Sequence, residues 1–193
     1  MAIRKVLIWP DPELSRVADP VNEVGDETRS LVTDLFETMY SSNGIGLAAT
    51  QIGVHQRVLV IDLDPHGEAK GDPDIQEELD DWGFVEPLAF INPEIIESTG
   101  DILWEEGCLS VPGYTEKVKR KERVRVRALD PSGKTFEVDA SGLCAVAIQH
   151  EMDHLEGRVF VEYLSRLKRD LVKRKMMRLK VDAIEDGASS VGV

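Results

Sequence analysis

The sequence predicts a single domain that mixes α-helices with antiparallel β-strands, and three observations predict it. Residues 23–40 and 143–156 have the spacing of helices, two apolar runs at 56–63 and 88–92 read as strands, and residues 114–138 alternate in the manner of an antiparallel hairpin. A chain of 193 residues suits one domain, and a domain of this size buries roughly 70% of its unfolded surface, enough to fold without disulfide or metal.

In order along the chain, residues 23–40 place Leu31, Val32, Leu35, Phe36, Met39 and Tyr40 on one helical face that stops before Ser41, Ser42 and Asn43. The runs 56–63 and 88–92 are β-rich and are bounded by Pro65 and Pro93. Between them, about 64–87, Asp72, Asp74, Glu77, Glu78, Asp80, Asp81 and Glu86 outnumber the apolar residues, so a solvated acidic loop is expected, with Trp82 and Phe84 to pin it. From 114 to 138, Val124, Val126 and Ala128 face one way and Arg123, Arg125 and Arg127 the other, ahead of a turn at Pro131, Ser132 and Gly133. The seven basic residues from Lys117 to Arg127 are read as the exposed face of a half-buried strand rather than as a nucleic-acid stripe. Ser141 or Gly142 opens the helix at 143–156, and Gly157 closes it. A further helix over 165–180 is expected to bury Leu164, Leu167, Leu171, Met176 and Leu179 and to present Arg166, Arg169, Lys173 and Lys180 on the opposite side. Residues 185–193 are small and polar, an expected frayed tail.

Composition narrows the function. With 42% hydrophobic and 31% charged residues the chain is neither disordered nor fibrous, and it has no apolar run of membrane-spanning length. The four apolar residues Val6 to Trp9 are too few for a signal peptide, so the cytoplasm is the expected compartment and no membrane partner is expected. Two cysteines cannot form a disulfide framework. The net charge is −13, yet residues 164–180 alone carry +7, leaving −20 on the rest. One basic element on an acidic body could dock a polyanion locally.

The chemistry centres on His150, Glu151, Met152, Asp153 and His154, an H-E-x-x-H inside a helix. At about 100° per residue the two histidines stand about 40° apart and one turn separated, so both imidazoles can reach one metal with Glu151 beside it as a base. A catalytic divalent metal usually takes three protein ligands and leaves a position to water. The metzincin pattern would place the third at position 160, where Phe160 cannot bind. A thermolysin-like glutamate would have to be Glu162 or Glu185, the one too near and the other in the tail, and this reading stays open. Cys144 lies six residues before His150, about 120° around the helix, and reads as a core thiol. Cys108, in Glu106–Gly107–Cys108–Leu109–Ser110, is the soft donor without another explanation. The stretch 43–53 holds Gly44, Gly46, Ala48, Ala49 and Gln51 but neither a Walker lysine nor a third Rossmann glycine. Its small residues suit the close approach of an extended ligand, and the Gln51 amide could donate to a developing oxyanion.

Together, Gly44 to Gln51 (G-x-G-x-A-A-x-Q), Glu106 to Ser110 (E-G-C-x-S) and His150 to His154 (H-E-x-D-H) resemble the three motifs of the peptide deformylases. The resemblance, closest to the Gram-negative type, extends from the N-terminal residues through the last helix. It implies an α+β fold with antiparallel sheets packed around the metal-binding helix and a C-terminal basic helix. It implies a metallohydrolase that removes the formyl group from the formyl-methionine of new polypeptides, releasing formate. Cys108, His150 and His154 would be the metal ligands, with Fe2+ as the native ion and Ni2+, Co2+ or Zn2+ as substitutes. The division implied is a catalytic domain over 1–164, a basic helix of the same domain over 165–181 and a flexible tail over 185–193. That helix would contact the ribosome near the exit tunnel. Two departures from the family pattern are the long acidic stretch at 64–87 and the lack, at Gly113, Tyr114 and Thr115, of an arginine that some members carry.

On this reading Glu151 moves the proton, and Gln51 and the Leu109 backbone N–H stabilise the oxyanion. Leu143, Val146 and Ala147 share the face of His150 and would wall a methionine pocket with Ile45, while the backbone of Gly44, Ile45 and Gly46 pairs with the peptide. Two competing readings are a zinc endopeptidase using the same residues and a metal-structured ribosome- or RNA-docking module. The second would not need Glu151 between two ligands.

Overall fold

The computed structural model describes residues 2–68, 72–84 and 86–189. A five-stranded antiparallel sheet runs in the order β1 (Gly46–Ala48), β2 (Val58–Ile61), β3 (Leu88–Thr99), β6 (Arg123–Leu129) and β7 (Thr135–Ser141). A separate hairpin pairs β4 (Ile102–Glu106) with β5 (Glu116–Arg120).

The short strand β2 explains the layering. All four of its residues are buried, because Leu59 and Ile61 pack with α3 (Gly142–Leu155) on one face and Val58 and Val60 with α1 (Asp26–Ser41) on the other. Its sequence is apolar without alternation because the strand is covered on both sides. Leu31, Leu35 and Met39 of α1, one turn apart from each other, fill one interface, and Cys144, Ala145, Ile148 and Leu155 of α3 fill the other. The H-E-x-x-H helix therefore lies on the sheet, with the β4–β5 hairpin approaching its other side through Glu106 and Cys108. This is the expected α+β arrangement.

Several elements differ from their sequence reading. β3 does not stop at Pro93 but continues to Thr99, because Asn92 at φ 52° shifts the register there and the proline falls at the irregularity, where no ladder N–H is needed. The acidic stretch at 64–87 is not wholly a loop. It contains α2 (Pro73–Trp82), in which Ile75, Leu79 and Trp82 recur at helical spacing; Leu79 is buried, and Trp82 packs against the core shared by α3 and the sheet. The arginines of β6 face outward as expected, Arg125 pairing with Asp139 and Arg127 with Glu137. Arg120 is the exception, since Glu116, Val118 and Arg120 share the inward face of β5 and Arg120 is 6% exposed.

The last helix, α4 (Arg166–Ser189), buries a different face from the one its leucines mark. Val172 and Met176 are inside, while Leu167, at 71% exposure, Leu171 and Leu179 are on the surface. The helix docks through Val172 and Met176 onto Val111, Val118 and Phe160, and its rotation is fixed by that patch and by Lys168 pairing with Glu116. The helix continues through residues 185–189, the start of the stretch expected to fray. Residues 190–193 lie outside the described residues. Among the described residues no helix is long and apolar enough to cross a membrane.

Candidate metal centre

The three motif segments meet on the side of α3 that faces away from the sheet core. Cys108 follows β4 in the connection to β5, and its Sγ lies 3.2 Å from His154 Nε2. The donor atoms of Cys108, His150 and His154 all lie within 4.8 Å of one another. Among the described residues this is the group of His, Cys, Asp and Glu side chains close enough to hold a metal. Cys144 stays in the core on the other side of the helix, fully buried, where loss of solvation pushes its thiol up to about 12.

The imidazoles are set by what stands behind them. His150 Nδ1 bonds Glu106 Oε2 at 2.8 Å, leaving Nε2 for the site. Glu106 is in turn clasped by Arg120, whose Nε and Nη2 reach its two oxygens at 2.6 and 2.9 Å, and Arg120 Nη1 reaches Asp153 Oδ2 at 2.5 Å. Burial alone would raise Glu106, but hydrogen bonds from Arg120 and His150 hold it below the usual carboxylate range. For His150 burial opposes the charged form, and Cys108 and Glu106 overcome it and lift the group well above normal. His154 is pushed well below normal by its burial and by the charge of the neighbouring His150. A cation binding here would displace any proton still held on Nε2 of His150.

Glu151 is buried beside this group. Burial pushes its carboxyl up to about 7, although a bound cation would pull it back down. Its Oε2 and the Nδ1 of His154 are buried with no hydrogen-bond partner among the described residues. An orphaned carboxylate oxygen next to two imidazoles and a thiol fits a site that takes a metal ion with a proton-carrying ligand. Gly46 makes room for it, since a Cβ there would lie 2.6 Å from Glu151 Oε1.

A cavity of about 500 Å³ opens over these residues. The structure brings together here every sequence-predicted substrate position, Gly44, Ile45, Gly46, Leu143, Val146 and Ala147, along with Gln51, Leu109, Cys108, His150 and Glu151. His154 sits deeper, at 1% exposure. The Gln51 amide is fixed by Ala48 N–H donating to Oε1 at 2.8 Å, and its Nε2 is aimed at Ser110 Oγ, 3.2 Å away, and at Cys108 Sγ, 3.6 Å away. The Leu109 N–H makes no hydrogen bond among the described residues. Sequence reasoning missed Trp104, Pro112 and Gly113 in the cavity wall and Arg120 behind it. The inward period of β5 was the available signal for Arg120; nothing local marked the others.

The fold and this site define a metal-dependent hydrolase, with a buried carboxylate beside a group of three potential metal donors in an apolar cleft. Residues 3–170 match the family model for polypeptide deformylase. The chain is 54% identical over 181 residues to peptide deformylase 1 of Burkholderia multivorans, covering 93% of this chain and 91% of that one. The solved peptide deformylase of Legionella pneumophila superposes with a TM-score of 0.82 at 42% identity, over 95% of this chain and 98% of that one. That of Ehrlichia chaffeensis in complex with actinonin superposes at 0.83 and 38% identity, over 92% and 98%. The chain belongs to the peptide deformylase family, whose members take the formyl group from the N-terminus of newly made polypeptides.

Proposed function

We propose that the chain deformylates formyl-methionine at the start of nascent polypeptides, with Cys108, His150 and His154 holding one Fe2+ ion and Glu151 carrying the proton. The observation that supports this most is the buried, unpartnered Glu151 Oε2 beside the three donors. A mixed thiolate and imidazole donor set suits ferrous ion, and Ni2+, Co2+ or Zn2+ would also be accepted. When bound, the ion supplies Lewis-acid polarisation of the formyl oxygen and acidifies water. Glu151 takes the proton of the attacking water and returns it to the amine that leaves. The Gln51 Nε2 and the Leu109 N–H donate to the oxygen as its charge develops. Leu143, Val146, Ala147 and Ile45 enclose the methionine side chain, and the Gly44–Gly46 backbone pairs with the peptide behind it.

We assign these roles to a single catalytic unit over 1–164, working in the cytoplasm, with α4 as its docking element for the ribosome. The support for docking is the outward face of α4, where Arg174 and Arg178 are exposed beside Leu167 and Leu171. Reversing Lys173, Arg174 and Arg178 to glutamate should leave turnover on small formyl peptides intact and abolish salt-sensitive co-sedimentation with ribosomes. Co-sedimentation that survives would refute docking through this face.

The catalytic assignment is tested by anaerobic purification, metal analysis and formate release from formyl-Met peptides. Glu151→Gln should keep its metal and lose about 10²- to 10⁴-fold in kcat. Substantial turnover in the metal-loaded variant would remove Glu151 from the mechanism, and shortened peptides in place of formate would mean an endopeptidase.

A further inference from the structure

The cavity wall includes Pro112 and Gly113, and these belong to the connection between β4 and β5. The ladder of that hairpin ends at Glu106 opposite Glu116, so residues 107–115 leave the sheet. They carry Cys108 and Leu109 at one end and the cavity rim at the other. The rim is held from outside by α4. Lys175 Nζ donates to the carbonyl of Gly113, and Lys168 Nζ reaches Glu116 Oε2 at 2.6 Å, an oxygen that also accepts from Tyr114 Oη at 3.2 Å. Beneath these tethers Val172 and Met176 pack with Val111 and Val118, which flank the rim on either side. The Tyr114 ring stacks on Phe160, which in turn lies 6.0 Å from the ring of His150.

We propose that Lys168 and Lys175 are positioning residues that clamp the substrate-cavity rim, so that the C-terminal helix sets the affinity of the enzyme for its formyl peptide. Neither lysine touches the metal group or Glu151. Their effect must pass through the placement of Pro112 and Gly113, and it therefore falls on substrate binding rather than on the chemical step. One tether is an ion pair on a partly exposed carboxylate and weakens with salt; the other is a charge-to-carbonyl bond and is less sensitive. The inference rests on the deformylase reading, and a parent protein that releases no formate would signal failure of that reading instead.

The test uses the full-length, metal-loaded protein. Lys168→Met/Lys175→Met should raise KM for a formyl-Met tripeptide about three- to tenfold, the loss appropriate to two exposed tethers, with kcat and metal content unchanged. Lys168→Arg/Lys175→Arg, which keeps both donors, should restore the parent KM. In the parent KM should rise with added NaCl, and in the methionine variant this dependence should largely disappear. Independently of activity, hydrogen exchange should speed up at residues 111–116 in the methionine variant and stay unchanged at 150–155. A KM within about twofold of the parent, no rescue by arginine, or unaltered exchange at 111–116 would each overturn the proposal.

Discussion

His150 presents Nε2 to the site because Nδ1 is already committed to Glu106, and Glu106 accepts that bond as a carboxylate because Arg120 holds both its oxygens. Orientation of this candidate donor thus rests on two groups that stand outside the donor group itself. The two cysteines make the complementary point that residue type alone does not define a ligand. Cys108 is partly exposed, with its sulfur next to His154 and the Gln51 amide; Cys144 is sealed in the core with its thiol pushed up to about 12. Cys108→Ser should therefore strip most of the bound metal. Cys144→Ser should keep the metal content of the parent and cost about 1–3 kcal/mol for a buried hydroxyl without a partner. Metal analysis and denaturant melts on the two variants check this, and equal metal loss in both would show the helical-face assignment to be wrong.

At the scale of elements, α4 offers a direct comparison between the face its leucines mark and the face it buries. Met176 is fully buried whereas Leu171 is 52% exposed. Met176→Ala should cost about 2–5 kcal/mol, and Leu171→Ala should stay within about 0.5 kcal/mol of the parent; chemical denaturation distinguishes them, and a reversed order would place the helix the other way round. The same contrast explains what could be read from the sequence. The motif helix was legible because its histidine spacing and its apolar period agree, and the resemblance of the three motifs implied that Cys108 stands with the two histidines, whose donor atoms the fold brings within 4.8 Å of one another. Rotation of α4 was not, because it depends on Val111 and Val118, which are remote in sequence. In α2 the pattern of Ile75, Leu79 and Trp82 was present but hidden among acids. That helix closes over the start of α3, where Trp82 covers Gly142 so tightly that a Cβ would lie 2.4 Å from its Nε1. The inward turn of Arg120 was obscured because neighbouring Lys119 and Lys121, on the opposite face of β5 and just beyond it, both reach Asp101 in solvent.

Across the whole molecule the candidate metal group brings together parts that are far apart along the chain. Cys108 lies in a connection outside either sheet, 46 residues from its neighbour His154 on the central helix. A cation shared by the two closes that loop in the native state and finds no preformed site in the unfolded chain, so its binding free energy adds to folding. For free ion at about a thousandfold excess over Kd the gain is about 4 kcal/mol. Chelation under anaerobic conditions should therefore lower the melting temperature by several degrees, and hydrogen exchange should rise first in residues 107–115 rather than in β2 or α1, whose apolar contacts do not involve the site. Adding Ni2+ or Zn2+ to the stripped protein should restore both the melting temperature and the protection. Glu151→Gln should show the same metal-dependent shift as the parent, because Glu151 stands beside the donors without being one of them, while Cys108→Ser should show little of it. An unchanged melting temperature after verified metal removal would mean that the hairpin and the helix are held together by Arg120, Glu106 and the core alone.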